Sequence, residues 1–132
     1  MAEMNPLSVA SEDYLERIWE LLTEKGYARV SDMADKLSIK PASVTKMVQK
    51  LEQLGYIKRE PYRGFTLTAL GQRVGKKISR RHVILKEFLT LLGVPTKVMQ
   101  KDIEGLEHHL SAESVKGLER MISLWPKKRR IV

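Results

Sequence analysis

Gly55 separates two kinds of periodicity, and that change of period limits the chain to few folds. Before it, apolar residues recur at helical spacing in two short segments. Val30 to Leu37 sets Val30, Met33, Ala34 and Leu37 on one face behind a serine cap, and a turn at Ser38-Ile39-Lys40 leads to Pro41. Proline suits the first position of a helix, where its missing N–H costs nothing. That second helix continues to Leu51, with Val44, Val48 and Leu51 as its buried stripe. After Gly55 the pattern alternates, so Tyr56–Glu60 and Phe65–Thr68 read as two strands around the turn Pro61-Tyr62-Arg63-Gly64. Two helices joined by a short turn and followed at once by a hairpin make a winged helix-turn-helix. A lone hairpin is marginal in water, so Ile57, Phe65 and Leu67 are expected to pack on the preceding helices.

The face of the second helix opposite its stripe carries Ser43, Thr45, Lys46, Gln49 and Lys50, with no acid until Glu52. Hydroxyls and cations suit phosphate oxygens, and glutamine can read an adenine edge in the major groove. A merely solvated face would more often mix acids with bases. Pro41, Ser43, Thr45, Lys46, Gln49, Lys50 and, at the hairpin tip, Arg63 are therefore the candidate DNA contacts. The charge balance agrees: 24 Lys plus Arg against 16 Asp plus Glu give 132 residues a net charge of +8, an excess that suits a polyanion. Hydrophobic content of 42% supports a folded core rather than a disordered basic tail. Residues 1–70 are expected to form this DNA-binding domain.

Around it the chain is helical. Leu15, Ile18, Trp19, Leu21 and Leu22 mark a first helix from a Ser11 cap to Lys25, closed by Gly26, with Asp13 and Glu16 on its flank. Acids in a first turn normally answer to the helix dipole, an explanation weaker for Glu16, which sits further in. Thr68 caps a long linker helix to Leu92, whose first half carries the cations Arg73, Lys76, Lys77, Arg80 and Arg81, either near DNA or solvated. His82 falls among its apolar positions, where a histidine is more often a hydrogen-bonded core residue than a ligand. Gly93-Val94-Pro95 breaks the chain, and Thr96 caps a helix expected to reach Leu110 with Met99, Ile103, Leu106 and Leu110 as its stripe. At about 100° per residue, Glu104, Glu107 and His108 share one surface of it, either a metal-binding trio or ordinary solvated groups, while His109 lies on another face. Ser111 caps a last helix with Val115, Leu118, Met121 and Ile122 on its apolar side, stopped by Trp125-Pro126 before the basic tail Lys127-Lys128-Arg129-Arg130. These stripes exceed what the short helices can cover alone, so the apolar faces of residues 83–124, within a second domain of residues 71–132, are expected to self-associate, as a two-fold dimer reading a palindrome.

The motifs Asp13-Tyr14-Leu15-Glu16, Lys40 to Leu51, His82 and Glu104-Gly105-Leu106-Glu107-His108-His109, in this order, resemble the diphtheria toxin repressor family, and within it the manganese-regulator branch. The resemblance runs from about Ser11 to Ile122 and implies a mainly α fold with a small β-hairpin wing: an N-terminal winged helix-turn-helix plus a C-terminal helical dimerisation domain. It further implies a homodimeric repressor of manganese uptake genes that binds double-stranded operator DNA when two Mn2+ ions occupy each subunit. Asp13, Glu16, His82, Glu104, Glu107 and His108 are the ligands it implies. Iron-sensing relatives have a thioether at the place of Glu16 and often a thiolate at the place of Glu104, so the carboxylates here favour manganese.

With no cysteine in the chain, a metal would meet oxygen and imidazole only. A di-metal oxidase needs a Glu-x-x-His pair on each of two helices, and the residues three before His108 and His82 are Gly105 and Ser79, so no enzyme and no organic substrate is expected. The remaining alternative is a winged-helix regulator that senses iron or a small organic ligand. Met1 to Ala10 has no basic region followed by an apolar one, and the most apolar window, Val83 to Val94, is broken by Lys86 and Glu87. No membrane association and a cytoplasmic location are expected.

Overall fold

The computed structural model describes residues 7–62 and 64–126. In chain order these form α1 (Val9–Lys25), α2 (Val30–Leu37), α3 (Pro41–Gln53), β1 (Ile57–Glu60), β2 (Gly64–Leu67), α4 (Ala69–Leu91), α5 (Thr96–Leu106) and α6 (Ala112–Leu124). The fold is mainly α with one antiparallel hairpin, as the sequence implied. It divides into two compact units, the first ending at Lys77 and the second starting at Ile78. No helix among the described residues is long and apolar enough to cross a membrane.

In the first unit the helix starts differ from the predicted ones where hydroxyls and acids compete within a turn. The cap of α1 is Ser8 rather than Ser11: the Ser8 hydroxyl accepts from the Ser11 N–H at 3.1 Å, satisfying one of the donors that a helix start leaves over, and Ser11 itself is buried. At α2 the predicted serine cap is absent. The Asp32 carboxylate reaches back to the Arg29 N–H at 3.2 Å, a stronger acceptor at the positive end of the helix. Ser38, in the left-handed region at φ 56°, turns the chain into α3, which opens on Pro41 and buries Val44, Val48 and Leu51 as expected.

The hairpin pairs Ile57 with Leu67, Lys58 with Thr66, Arg59 with Phe65 and Glu60 with Gly64, each strand lying within a residue of its predicted span. Ile57, Phe65 and Leu67 face inward and join one core with Leu15, Ile18, Met33, Val44, Val48 and Leu51. Burying each such side chain contributes about 1.5–3 kcal/mol, which is what makes a short hairpin stable. A further contact was not legible in the sequence: Ala28, between α1 and α2, bridges to Phe65, whose N–H donates to the Ala28 carbonyl at 2.8 Å. This bridge shields the outer edge of β2 and brings backbone against Gly64, which has φ 93°. Thr68 caps α4 as predicted, accepting from the Gly71 N–H at 3.2 Å while donating to the Gly55 carbonyl at 2.6 Å.

In the second unit Leu85 and Leu89 of α4 pack with Met99 and Ile103 of α5, and Ile84 and Leu91 of α4 pack with Ile122 of α6. The last helix is capped by Ser111, whose hydroxyl accepts from the Ser114 N–H at 3.1 Å, as predicted. The helix α5 departs from expectation at both ends. Pro95, not Thr96, stands at its N-cap without a side-chain bond, and the helix closes at Leu106 with Glu107 as C-cap, short of Leu110. The predicted stripes also overreach: Leu92, Leu106 and Met121 are exposed, while Leu91, one residue from Leu92, is buried.

A methyl group at Gly64 would lie 2.1 Å from the Ala28 carbonyl oxygen on a backbone at φ 93°. Gly64→Ala is expected to destabilise the protein by about 2 kcal/mol or more, read as a lower urea midpoint with an unchanged slope. A midpoint equal to wild type would show that the Ala28 bridge contributes nothing.

Candidate functional site

The first unit fixes the candidate DNA-reading surface through the core it turns away from. Because Val44, Val48 and Leu51 hold α3 inward, Pro41, Ser43, Lys46, Gln49 and Lys50 stand exposed on the other side. Thr45 is half-buried and donates its hydroxyl to the Pro41 carbonyl at 3.1 Å, so in this rotamer its oxygen offers only acceptor capacity. Glu52, the acid that ends this stretch, is engaged by Arg59 of β1 at 2.8 Å, which offsets its charge. Tyr62 at the hairpin tip is fully exposed at φ 68°. Arg63 and the basic tail Lys127-Lys128-Arg129-Arg130 lie outside the described residues.

On α1 the acids differ in environment. Glu16 is fully buried and Asp13 is half-buried. Arg17 places Nη1 3.7 Å from Glu16 and 3.2 Å from Glu20. Burial pulls the Arg17 guanidinium down, but the carboxylates of Glu16, Glu20 and Asp13 more than offset this and hold it above its ordinary value. A carboxylate removed from water costs several kcal/mol unless positive charge compensates it. Arg17 supplies one such charge, and a bound cation would add to it.

In the second unit the metal-type donors gather on Glu107. Its carboxylate is buried, 1% exposed, and Oε1 lies 3.2 Å from His82 Nδ1. A ring nitrogen of His108 also lies within 4.8 Å of a Glu107 oxygen. The grouping does not arise as the helical wheel proposed. Glu107 keeps right-handed helical angles, φ −62° and ψ −23°, but as the C-cap, and His108 and His109 lie in the turn beyond it. Glu104 remains on the helix, exposed, and accepts from Gln100 at 3.3 Å. The structure thus brings His82 and His108 each close to Glu107 and leaves the Glu104 carboxylate on the surface of α5. A buried carboxylate with imidazoles near it offers the oxygen and nitrogen donors that a divalent cation takes.

Comparison with known proteins agrees with both halves. Residues 6–65 match the family described as "Iron dependent repressor, N-terminal DNA binding domain", and residues 68–125 match "Iron dependent repressor, metal binding and dimerisation domain". The chain belongs to the diphtheria toxin repressor family. Within that family it is similar to regulators named MntR: 52% identical to the HTH-type transcriptional regulator MntR of Shouchella clausii, over 79% of this chain and 73% of that protein. The MntR of Lysinibacillus sphaericus is 46% identical over 92% of this chain and 87% of its own length. Among solved structures, one described as the manganese regulator SloR is 29% identical with a TM-score of 0.76, covering 94% of this chain. This chain spans 56% of the length of that solved chain.

Membership places the chain among DNA-binding, metal-dependent transcriptional repressors and not among enzymes. Operator DNA and a second copy of the chain are its partners, and a divalent metal is its effector. The two family matches meet at the end of the wing, the first stopping at residue 65 and the second starting at residue 68. One residue that touches the donor group escaped the sequence reading. In sequence Arg81 belongs to the run of α4 cations expected either near DNA or in solvent, whereas it is buried. Its spacing of three from Ile78 and four from Leu85 was the available signal.

Proposed function

We propose that this chain is a manganese(II)-activated repressor that binds palindromic operator DNA as a homodimer in the cytoplasm and controls manganese uptake genes. In this reading residues 1–70 contact DNA, residues 71–132 carry dimerisation, and two Mn2+ ions per subunit are held by Asp13, Glu16, His82, Glu104, Glu107 and His108. The observation that carries it is the buried Glu107 carboxylate, which has His82 Nδ1 at 3.2 Å and a ring nitrogen of His108 within 4.8 Å. A set of four carboxylates and two imidazoles is hard and oxygen-rich. Manganese(II) binds most weakly of the common first-row divalent ions, so a sensor for it must rely on ligand type and geometry rather than strength. The resemblance to MntR regulators and to a manganese regulator of known structure supports the same choice.

When bound, the metal supplies positive charge that neutralises these acids and a fixed coordination geometry. The protein's part is to keep two states in balance, only one of which holds its reading helices to suit the operator. Moving such a balance from 1:99 to 99:1 takes about 5.5 kcal/mol of differential binding. Ligands that come from segments as far apart in sequence as Asp13 and His108 allow one ion to discriminate between the states. At the DNA, Lys46, Lys50 and Arg63 would meet phosphates, and Gln49 would read a base edge from α3.

Binding to an operator duplex selected from a random-sequence pool, followed by fluorescence anisotropy in chelator-cleaned buffer, tests the switch. Added Mn2+ is expected to tighten wild-type binding by roughly 100-fold or more, equivalent to about 2.7 kcal/mol, and Glu107→Gln is expected to abolish that response. Non-specific, salt-sensitive binding should survive in the variant. Equal wild-type affinity with and without metal would reject the reading.

The contacts on α3 separate by salt and by sequence. Lys46→Ala is expected to weaken binding on every duplex and to lower the salt slope by about 1, while Gln49→Ala should cost about 1–3 kcal/mol and relax selectivity at one base pair. Variants that show no change on any duplex would remove α3 from the interface.

A further inference from the structure

Arg81 stands apart from the other cations of α4. Its neighbour Arg80 is exposed and pairs with Glu119 of α6, and Lys76 and Lys77 are exposed on the same helix. Arg81 is only 6% exposed. Its Nη1 donates to the Glu107 carbonyl at 3.3 Å and also to the Leu110 carbonyl. A helix leaves its last carbonyls without partners inside the helix, and the end of α5 is where those of the donor turn lie. A guanidinium is suited to this position. It cannot lose its proton, it carries several donors in one rigid plane, and its charge opposes the negative end of the helix dipole.

Two consecutive residues of α4 therefore act on one acid: Arg81 holds the Glu107 backbone and His82 meets the Glu107 side chain at 3.2 Å. His108 is next along that turn, which the bond to Leu110 closes at its far side. We propose that Arg81 is a positioning residue for the metal centre, which fixes the turn from Glu107 to Leu110 against α4 so that Glu107 and His108 are set as ligands before the ion arrives. This rests on the manganese reading, because it assigns Arg81 its purpose through the ligands named there. Without the two bonds the turn would have to be ordered when the metal binds, and affinity would fall by that cost.

The test is manganese uptake by the full chain, read from loss of the electron paramagnetic resonance signal of free aqueous Mn2+, for wild type, Arg81→Leu and Arg81→Lys. Partners that orient metal ligands typically matter by roughly 10–100-fold in affinity, and Arg81→Leu is expected to weaken binding within that range. Arg81→Lys keeps the charge but has a shorter side chain whose ammonium lacks the fixed plane that aims Nη1 at both carbonyls, so an intermediate loss is expected. Amide hydrogen exchange of the metal-free proteins supplies a second readout: residues 108–110 should exchange faster in Arg81→Leu while α3 is unchanged. Wild-type binding with equal affinity in both variants would overturn the role of Arg81 and leave the manganese reading intact. Absence of manganese binding by wild type would instead overturn the reading beneath it. Should Arg81→Leu not fold, the comparison of wild type with Arg81→Lys decides, and equal affinities overturn the proposal.

Discussion

The buried Glu107 carboxylate, 3.2 Å from His82 Nδ1, is the contact around which the second unit is arranged. An acid kept from water must be compensated, and each nearby group answers that need in a different way. His82 meets the side chain, Arg81 binds the backbone carbonyl of the same residue, and His108 brings a second imidazole close by. Apolar packing fixes the frame in which this is possible: Leu85 and Leu89 hold α4 on Met99 and Ile103 of α5. Because α5 closes at Leu106, Glu107 stands at the helix end as its C-cap, its N–H still bonded to the Ile103 carbonyl. That position gives its carboxylate an environment that a residue in mid-helix would share with flanking side chains.

The first unit solves a different problem, the presentation of a rigid polar face. The stripe Val44, Val48 and Leu51 makes the inward side of α3 unambiguous, and the outward side follows from it. The hairpin adds stiffness in two ways, through its inward side chains and through the Ala28 bridge that covers the edge of β2. Arg59 on β1 draws off the charge of Glu52, so the reading face ends in an ion pair rather than in an exposed acid. Phosphate recognition is sensitive to such details, since an unpaired acid near the backbone of DNA would oppose the cations that hold it.

What could be read from the sequence was whatever depended on local periodicity. The stripe of α3, the alternation of the hairpin, the Thr68 and Ser111 caps and the break at Gly93-Val94-Pro95 are decided by residues close together in the chain. The differences fall where several side chains in one turn compete, or where a distant residue decides. Ser8 displaced Ser11 and Asp32 displaced a serine because several side chains within one turn can cap it, and the wheel does not rank them. Apolar spacing through Leu106 to Leu110 suggested a longer helix, but the chain ends α5 where Arg81, 26 residues earlier, supplies donors to the turn. The exposed Leu92, Leu106 and Met121 show that a periodic stripe records an apolar face without recording what covers it. In this family self-association is the established use of such a domain, and a surface buried only in the dimer would carry the same spacing.

The two polar residues on the inward side of α4 also show why the donor group was only half legible. His82 stands out in the sequence because imidazole has chemistry of its own, whereas Arg81 sits in a run of cations that are otherwise exposed. Yet burial separates them from that run in the same way. A guanidinium on an apolar face must find acceptors, and the carbonyls at the end of a helix are acceptors with little else to do. A histidine one residue later must then lie near the side chains of that same helix end. The adjacency of Arg81 and His82 on α4 thus requires a partner turn that offers carbonyls to one and a carboxylate to the other, and the stretch from Glu107 to Leu110 provides both.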